Sequence, residues 1–157
     1  MPETRSRNLA NYSSLVTLTG SQTLTNKFLL SPKEATTISA TSASGTIAFD
    51  TVTQGILYYT SNASANFTLN FRGNSSTTFN STLATSESIT IAFLNTNGAT
   101  AYYPSAFQID GSSVTPKWSG GTAPSSGNAS SIDGYSFTII KTANATFAVL
   151  AGATRFA

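Results

Sequence analysis

The stretch FTLNFR, residues 67–72, sets Phe67, Leu69 and Phe71 on one side of an extended chain and Thr68 and Asn70 on the other. Successive side chains of a strand point to opposite faces, so this period of two describes a strand with one face in a core and one in water. Its neighbours read alike. Upstream, TTISAT (36–41) ends in the turn-rich SASG, TIAFD (46–50) puts Ile47 and Phe49 on one face, and GILYYTS (55–61) is a dense apolar strand turned by NASAN. Downstream, GNSSTTFNSTLATSES (73–88) is a long polar connection with Phe79 and Leu83 as anchors. SITIAFLN (88–95) then reads as a central strand turned by TNG.

TAYYPSAFQI (100–109) is a strand interrupted at Pro104. Proline donates no ladder hydrogen bond, so this strand is expected at an edge or with a bulge. DGSSVTPKW (110–118) reads as a turn and a short strand. DGYSFTIIKT and ATFAVLAGATRF, joined by ANA, form a hairpin pair at the end of the chain. No helical period of any length appears. Many short strands that each bury one face require two sheets to meet. The expected fold is therefore all-β, an antiparallel β-sandwich of jelly-roll or immunoglobulin-like type over residues 36–157.

Residues 1–35 have a different pattern and read as an extended N-terminal arm. SLVTLTGSQTLTNKFLLSP (14–32) carries Leu15, Leu18, Leu24, Phe28 and Leu29 among threonines, with Gly20 and Asn26 as turn residues. Such an arm does not repay its own ordering entropy, so it is expected to lie on a neighbouring surface. Arg5 and Arg7 are placed to meet an acidic partner, or to remain in solvent.

The chain has 157 residues, enough for one domain with a core. Eight Lys/Arg stand against six Asp/Glu, a net charge of +2 without basic clusters, so no nucleic-acid partner is expected. The exterior must be built from Ser, Thr, Asn and Gly. Burying a hydroxyl costs less than burying an ion, so such an exterior suits permanent association. There is no cysteine, which fits folding in a reducing cytoplasm. MPETRSRNLANYSS lacks the apolar stretch of a secretory signal, and no apolar run has the length of a membrane span.

With neither His nor Cys, Ser-His-Asp and Cys-His sites are excluded. The acids are Glu3, Glu34, Asp50, Glu87, Asp110 and Asp133. Asp110 and Asp133 precede glycine and read as turn residues, and Asp50 closes a strand. No catalytic pair, cofactor motif or metal-ligand spacing is present, so no enzyme, cofactor or metal is expected. Asn-x-Ser/Thr recurs at Asn11, Asn62, Asn66, Asn74, Asn80, Asn128 and Asn144, a frequency that the abundance of these residues explains.

Trp118 is the single tryptophan and precedes Gly120 and Gly121. Glycines take positive φ without steric cost, so they let the chain double back, with Pro124 stiffening the exit. Trp118 then covers the end of the sandwich. The alternative is a platform on which a sugar ring stacks, joined by Tyr58, Tyr59, Tyr102, Tyr103 and Tyr135.

Two stretches carry a resemblance. LTGSQTLTNKFLLSP (18–32) resembles the threonine-rich repeat of tail-fibre proteins of tailed bacteriophages, with Phe28 and Leu29 where the repeat has Thr-Leu. KWSGGTAP (117–124), followed by a polar loop and IDGYSF, is similar to a C-terminal segment of phage tail fibres and related virion proteins. The span 38–157 resembles β-domains in virion structural proteins of marine cyanophages. The resemblance implies a virion structural protein, assembled in the host cytoplasm and often a homotrimer. It implies itself and other virion proteins as partners. Within that class the expected role is a surface appendage or tail-fibre-like module held by its arm, with capsid decoration as the alternative. A module that binds a host-surface glycan is the second alternative.

Overall fold

The computed structural model of the chain describes Phe28 and residues 30–157. Arg5, Arg7, Leu15, Leu18, Leu24 and Leu29 lie outside the described residues. The chain divides into two units at Lys33/Glu34, and the strands among the described residues belong to the second, Glu34–Ala157.

That unit is an all-β sandwich. Its strands are β1 (Thr36–Ser42), β2 (Gly45–Asp50), β3 (Ile56–Ser61), β4 (Phe67–Arg72), β5 (Ser88–Asn97), β6 (Pro104–Ile109), β7 (Ser112–Ser113), β8 (Lys117–Trp118), β9 (Ser131–Ala143) and β10 (Thr146–Phe156). One sheet has the order β1-β3-β5-β9-β10-β8 and the other β2-β4-β6-β7.

The strands up to β6 alternate between the sheets, and each runs parallel to the previous strand of its own sheet. The chain therefore winds in stacked circuits: β1 with β2, then β3 with β4, then β5 with β6. Only β5–β9, β9–β10 and β6–β7 pair antiparallel. The antiparallel jelly-roll or immunoglobulin-like arrangement expected from the sequence is thus replaced by two mixed sheets. The difference lies at the corners. At Ala43 and Ser44, between β1 and β2, the chain crosses to the facing sheet instead of folding back beside itself. After a second such step it re-enters the first sheet in its original direction. The corners stack as well: the Ser64 N–H donates to Ala43 O (3.1 Å) and the Ala63 N–H to Thr96 O (2.8 Å).

Stacking brings like positions into columns. Ile47, Leu69 and Phe107 are register partners across the smaller sheet, as are Phe49, Phe71 and Ile109. Leu57, Phe93 and Tyr135 form the matching column of the larger one. The inner faces interlock through aromatic rings, with Phe67 5.5 Å from Phe93 and Phe71 5.0 Å from Phe137. A buried aromatic of this kind contributes about 1.5–3 kcal/mol by its removal from water.

Pro104 opens β6, and Ser105 is the extra residue of a bulge against Phe67 and Thr68. The polar connection 73–87 holds one turn of helix, α1 (Phe79–Thr82), too short to leave a helical period in the sequence. It packs Phe79 against Phe147, ring centroids 5.4 Å apart.

Candidate functional site

Trp118 sits where the two sheets part. Its strand, β8, pairs parallel with β10 at Leu150 and Ala151. Its ring stands edge-on to Phe107 of the smaller sheet (5.7 Å) and to Tyr135 and Phe137 of the larger (6.5 and 6.3 Å). The indole is half-buried. Its free side borders a shallow cleft of about 500 Å³ with Lys117, Ser119, Ser136, Thr138, Leu150 and Gly152. Ser119–Gly121 form a single tight turn in which Gly120 and Gly121 have φ of 76° and 78°. A Cβ at either would meet nothing, so the backbone conformation, not lack of space, calls for glycine there. Pro124 is half-buried and borders a second cleft, of about 250 Å³, with Asn128, Asp133, Tyr135 and Arg155.

The four tyrosines at 58, 59, 102 and 103 do not form one row. Tyr58 and Tyr59 are adjacent in β3 and face opposite sides of the sheet. The Tyr59 ring packs 5.6 Å from Phe93, whereas the Tyr58 hydroxyl accepts from Thr96 Oγ1 at 3.3 Å. Tyr102 and Tyr103, just before β6, are half-buried against the core. Tyr135 is buried, and that burial, with the charge of Asp133 and then Tyr103, pushes its hydroxyl well above the usual phenol range.

The acids are dispersed. Asp50 pairs with Arg72 Nε at 2.5 Å. Asp110, with φ of 51°, accepts from the Phe79 and Asn80 N–H groups at 2.6 and 3.0 Å and so caps α1. Asp133 is not the turn residue its Asp-Gly dipeptide indicates. It points inward from β9, 3% exposed, and accepts from Asn97 Nδ2 (3.0 Å), Asn128 N–H (2.9 Å) and Asn128 Nδ2 (2.7 Å).

Around Asp133 lies a buried polar network that the sequence reading missed. Asn95 and Asn97 continue the inward alternation of Ile91 and Phe93, so β5 runs through the residues read as a turn. Asn97 Oδ1 accepts from Asn95 Nδ2 and from Tyr102 N–H, both at 3.0 Å. Asn95 Nδ2 also donates to Tyr102 O at 3.3 Å. Asn95 Oδ1 is the buried side-chain atom without a partner among the described residues. The network ties the connections 98–103 and 119–130 to the larger sheet. Gly127 packs directly on Tyr102 O, where a Cβ would collide with backbone. Lys141 plays a similar part at the other end of β9: its Nζ donates to Asn80 O (2.6 Å) and Leu83 O (2.9 Å), closing the carbonyl end of α1. Apart from Asn95 Oδ1, these groups are bonded within the fold and hold loops to sheets.

A different surface is left open. β1 ends the larger sheet and β2 ends the smaller one, so the first circuit presents two strand edges side by side, unpaired among the described residues. Ile38 and Val52 there are 65% and 56% exposed. Phe28, on the segment leading to β1, is 87% exposed. Compared with protein-family models, with curated proteins and with solved structures, the chain matches none.

Proposed function

We propose that this chain is a non-enzymatic structural protein of a tailed-phage virion, a surface appendage module fixed to its neighbours through its N-terminal segment. The observation that carries the reading is the first circuit. Its two edges, unpaired among the described residues, lie directly after that segment in sequence, on a body whose Asn97, Asn128 and Asp133 side chains are bonded to one another. A rigid, nearly uncharged block with one unfinished end suits permanent assembly, because an open strand edge is a template for another chain. The fibre-like stretches 18–32 and 117–137 support placement in a virion, with copies of itself as a homotrimer and other virion proteins as partners. Mass spectrometry of purified particles tests the reading. The protein is expected in fixed stoichiometry, in multiples of three per attachment site. Its absence from particles, with abundance in the infected cell, overturns it.

A further inference from the structure

The outer face of the larger sheet carries no charged side chain on β1, β3, β5, β9 or β10. Asp133 and Lys141 of β9 are buried on the inner side, and Arg155 of β10 is the register partner of Asp133 and shares its side of the sheet. The first charge at the border is Lys117 of β8, beside Leu150. The smaller sheet is different: its outer face carries the Asp50–Arg72 pair, with Asn70 and Gln108 in register.

The neutral face is also the more apolar one. Register places Ile38, Tyr58, Leu94, Gly134 and Thr154 in one outward row, and Thr96, Ile132 and Phe156 in the next. Four large apolar side chains of residues 34–157 stand exposed, Ile38, Val52, Leu150 and Phe156, and all but Val52 are on this face. Phe156 leans over Gly134, where a Cβ would come within 2.8 Å of its ring. Beside it lies a hollow of about 170 Å³ between Ala92, Leu94, Gly134, Ser136 and Phe156. The face thus has a projecting Ile38 on its β1 side and a hollow towards its β10 side.

We infer that three copies of the chain pack these faces about a common axis, the β1 side of each against the β10 side of the next. This rests on the proposed assembly of the chain and deepens it by naming the surface. A contiguous apolar patch marks an interaction site, and without charges it offers nothing to an ionic partner. Copies of a neutral face meet with no like-charge repulsion. The dimensions agree. The strand order β1-β3-β5-β9-β10 gives a width of about 19 Å at about 4.8 Å per spacing. Three sheets of that width close a triangular prism with each about 5–6 Å from the axis, half the ~10 Å at which sheets pack face to face. Ten residues of β5 add a length of about 33 Å, so each face has on the order of 500 Å² in plan, in the range of the ~800 Å² of accessible surface that a partner gives to a stable interface. Ile38 of one copy then meets Phe156 and the hollow of the next.

Sedimentation velocity on the full chain is expected to show a trimer. The chain has no cysteine, so Ile38→Cys with Phe156→Cys supplies the only thiols. Within one chain these positions are about 19 Å or more apart, too far for a disulfide, whose Cα atoms stand within about 7 Å. Mild oxidation of the double variant is expected to join separate chains and to stop at a covalent trimer, with each single-cysteine variant left uncrosslinked. Ser136→Arg puts a charge at an exposed position of the face, so the fold is retained. Shutting in an unpaired charge is expected to weaken the trimer by at least about a hundredfold. A trimer that gives no cross-link, or that Ser136→Arg leaves intact, overturns the inference, as does a monomer at every concentration. Covalent dimers from either single-cysteine variant overturn it too, since they mean two faces packed about a two-fold axis. None of these results touches the protein's presence in particles, which the mass measurement decides separately.

Discussion

Trp118 and Phe107 stand edge-to-face with ring centroids 5.7 Å apart, although they belong to different sheets. Phe107 in turn lies 5.6 Å from Phe137 across the interior. The indole thereby joins the smaller sheet to the larger at the margin where β7 and β8 are each only two residues long and hold little by themselves.

Trp118→Ala is accordingly expected to lower stability by about 2–3 kcal/mol, less than the ~3–5 for a fully buried aromatic because the ring is half-exposed. Denaturant unfolding measures it. The single indole also reports directly: its emission should be intermediate between buried and free tryptophan and indifferent to added sugars. A red maximum that shifts with a sugar would make Trp118 a stacking platform.

Two glycine substitutions separate conformation from space. Gly121→Ala meets open space and pays only for its positive φ, about 1–2 kcal/mol. Gly127→Ala drives a methyl group into Tyr102 O and the Asn97 side chain, so the backbone must move. It should cost more than Gly121→Ala, by thermal unfolding of the two variants side by side. The reverse order would mean that the 119–130 connection is not held against Tyr102.

Asp133→Ala strands the Asn97 amide and two donors of Asn128. Buried donors left without acceptors cost about 1–3 kcal/mol each when water cannot reach them. The expected loss is about 3 kcal/mol, with faster hydrogen exchange in residues 98–103 and 119–130 and little change in β4. Equal exchange everywhere would show that the network does not anchor those connections.

The raised Tyr135 hydroxyl gives an alkaline prediction. A folded-state pKa above the unfolded value of about 10 stabilises the fold fully below that pH, and the contribution is lost as pH rises through the folded pKa. Stability should therefore fall between about pH 10 and higher values, and Tyr135→Phe should flatten that fall while leaving neutral stability nearly unchanged. Denaturant midpoints at about pH 9 and about pH 11 for both proteins decide it.

How much of this was visible in the chain depends on what a period of two encodes. Phe67, Leu69 and Phe71 are the inward residues of β4, as their spacing says, and the bulge at Pro104 and the β9–β10 hairpin follow from local chemistry. Direction does not. A strand alternates identically whether its neighbour is parallel or antiparallel, so stacked circuits and hairpins share one pattern. Polar residues in inward positions misled most. Asn95, Asn97 and Asp133 occupy the inward places of β5 and β9, but Thr-Asn-Gly and Asp-Gly have the composition of turns. Only the three-dimensional pairing of Asn97 with Asp133, thirty-six positions apart in sequence, explains why they are buried. Lys141 is legible for the same reason only once Asn80 and Leu83 are seen beside it.

The proposed role of the chain is to build part of a particle surface. Imaging of purified particles made without this protein tests it most directly. Such particles are expected to lack a surface appendage present on complete particles, and supplying the full chain is expected to restore it. Particles with every projection and shell feature intact, and with unchanged composition, would contradict it.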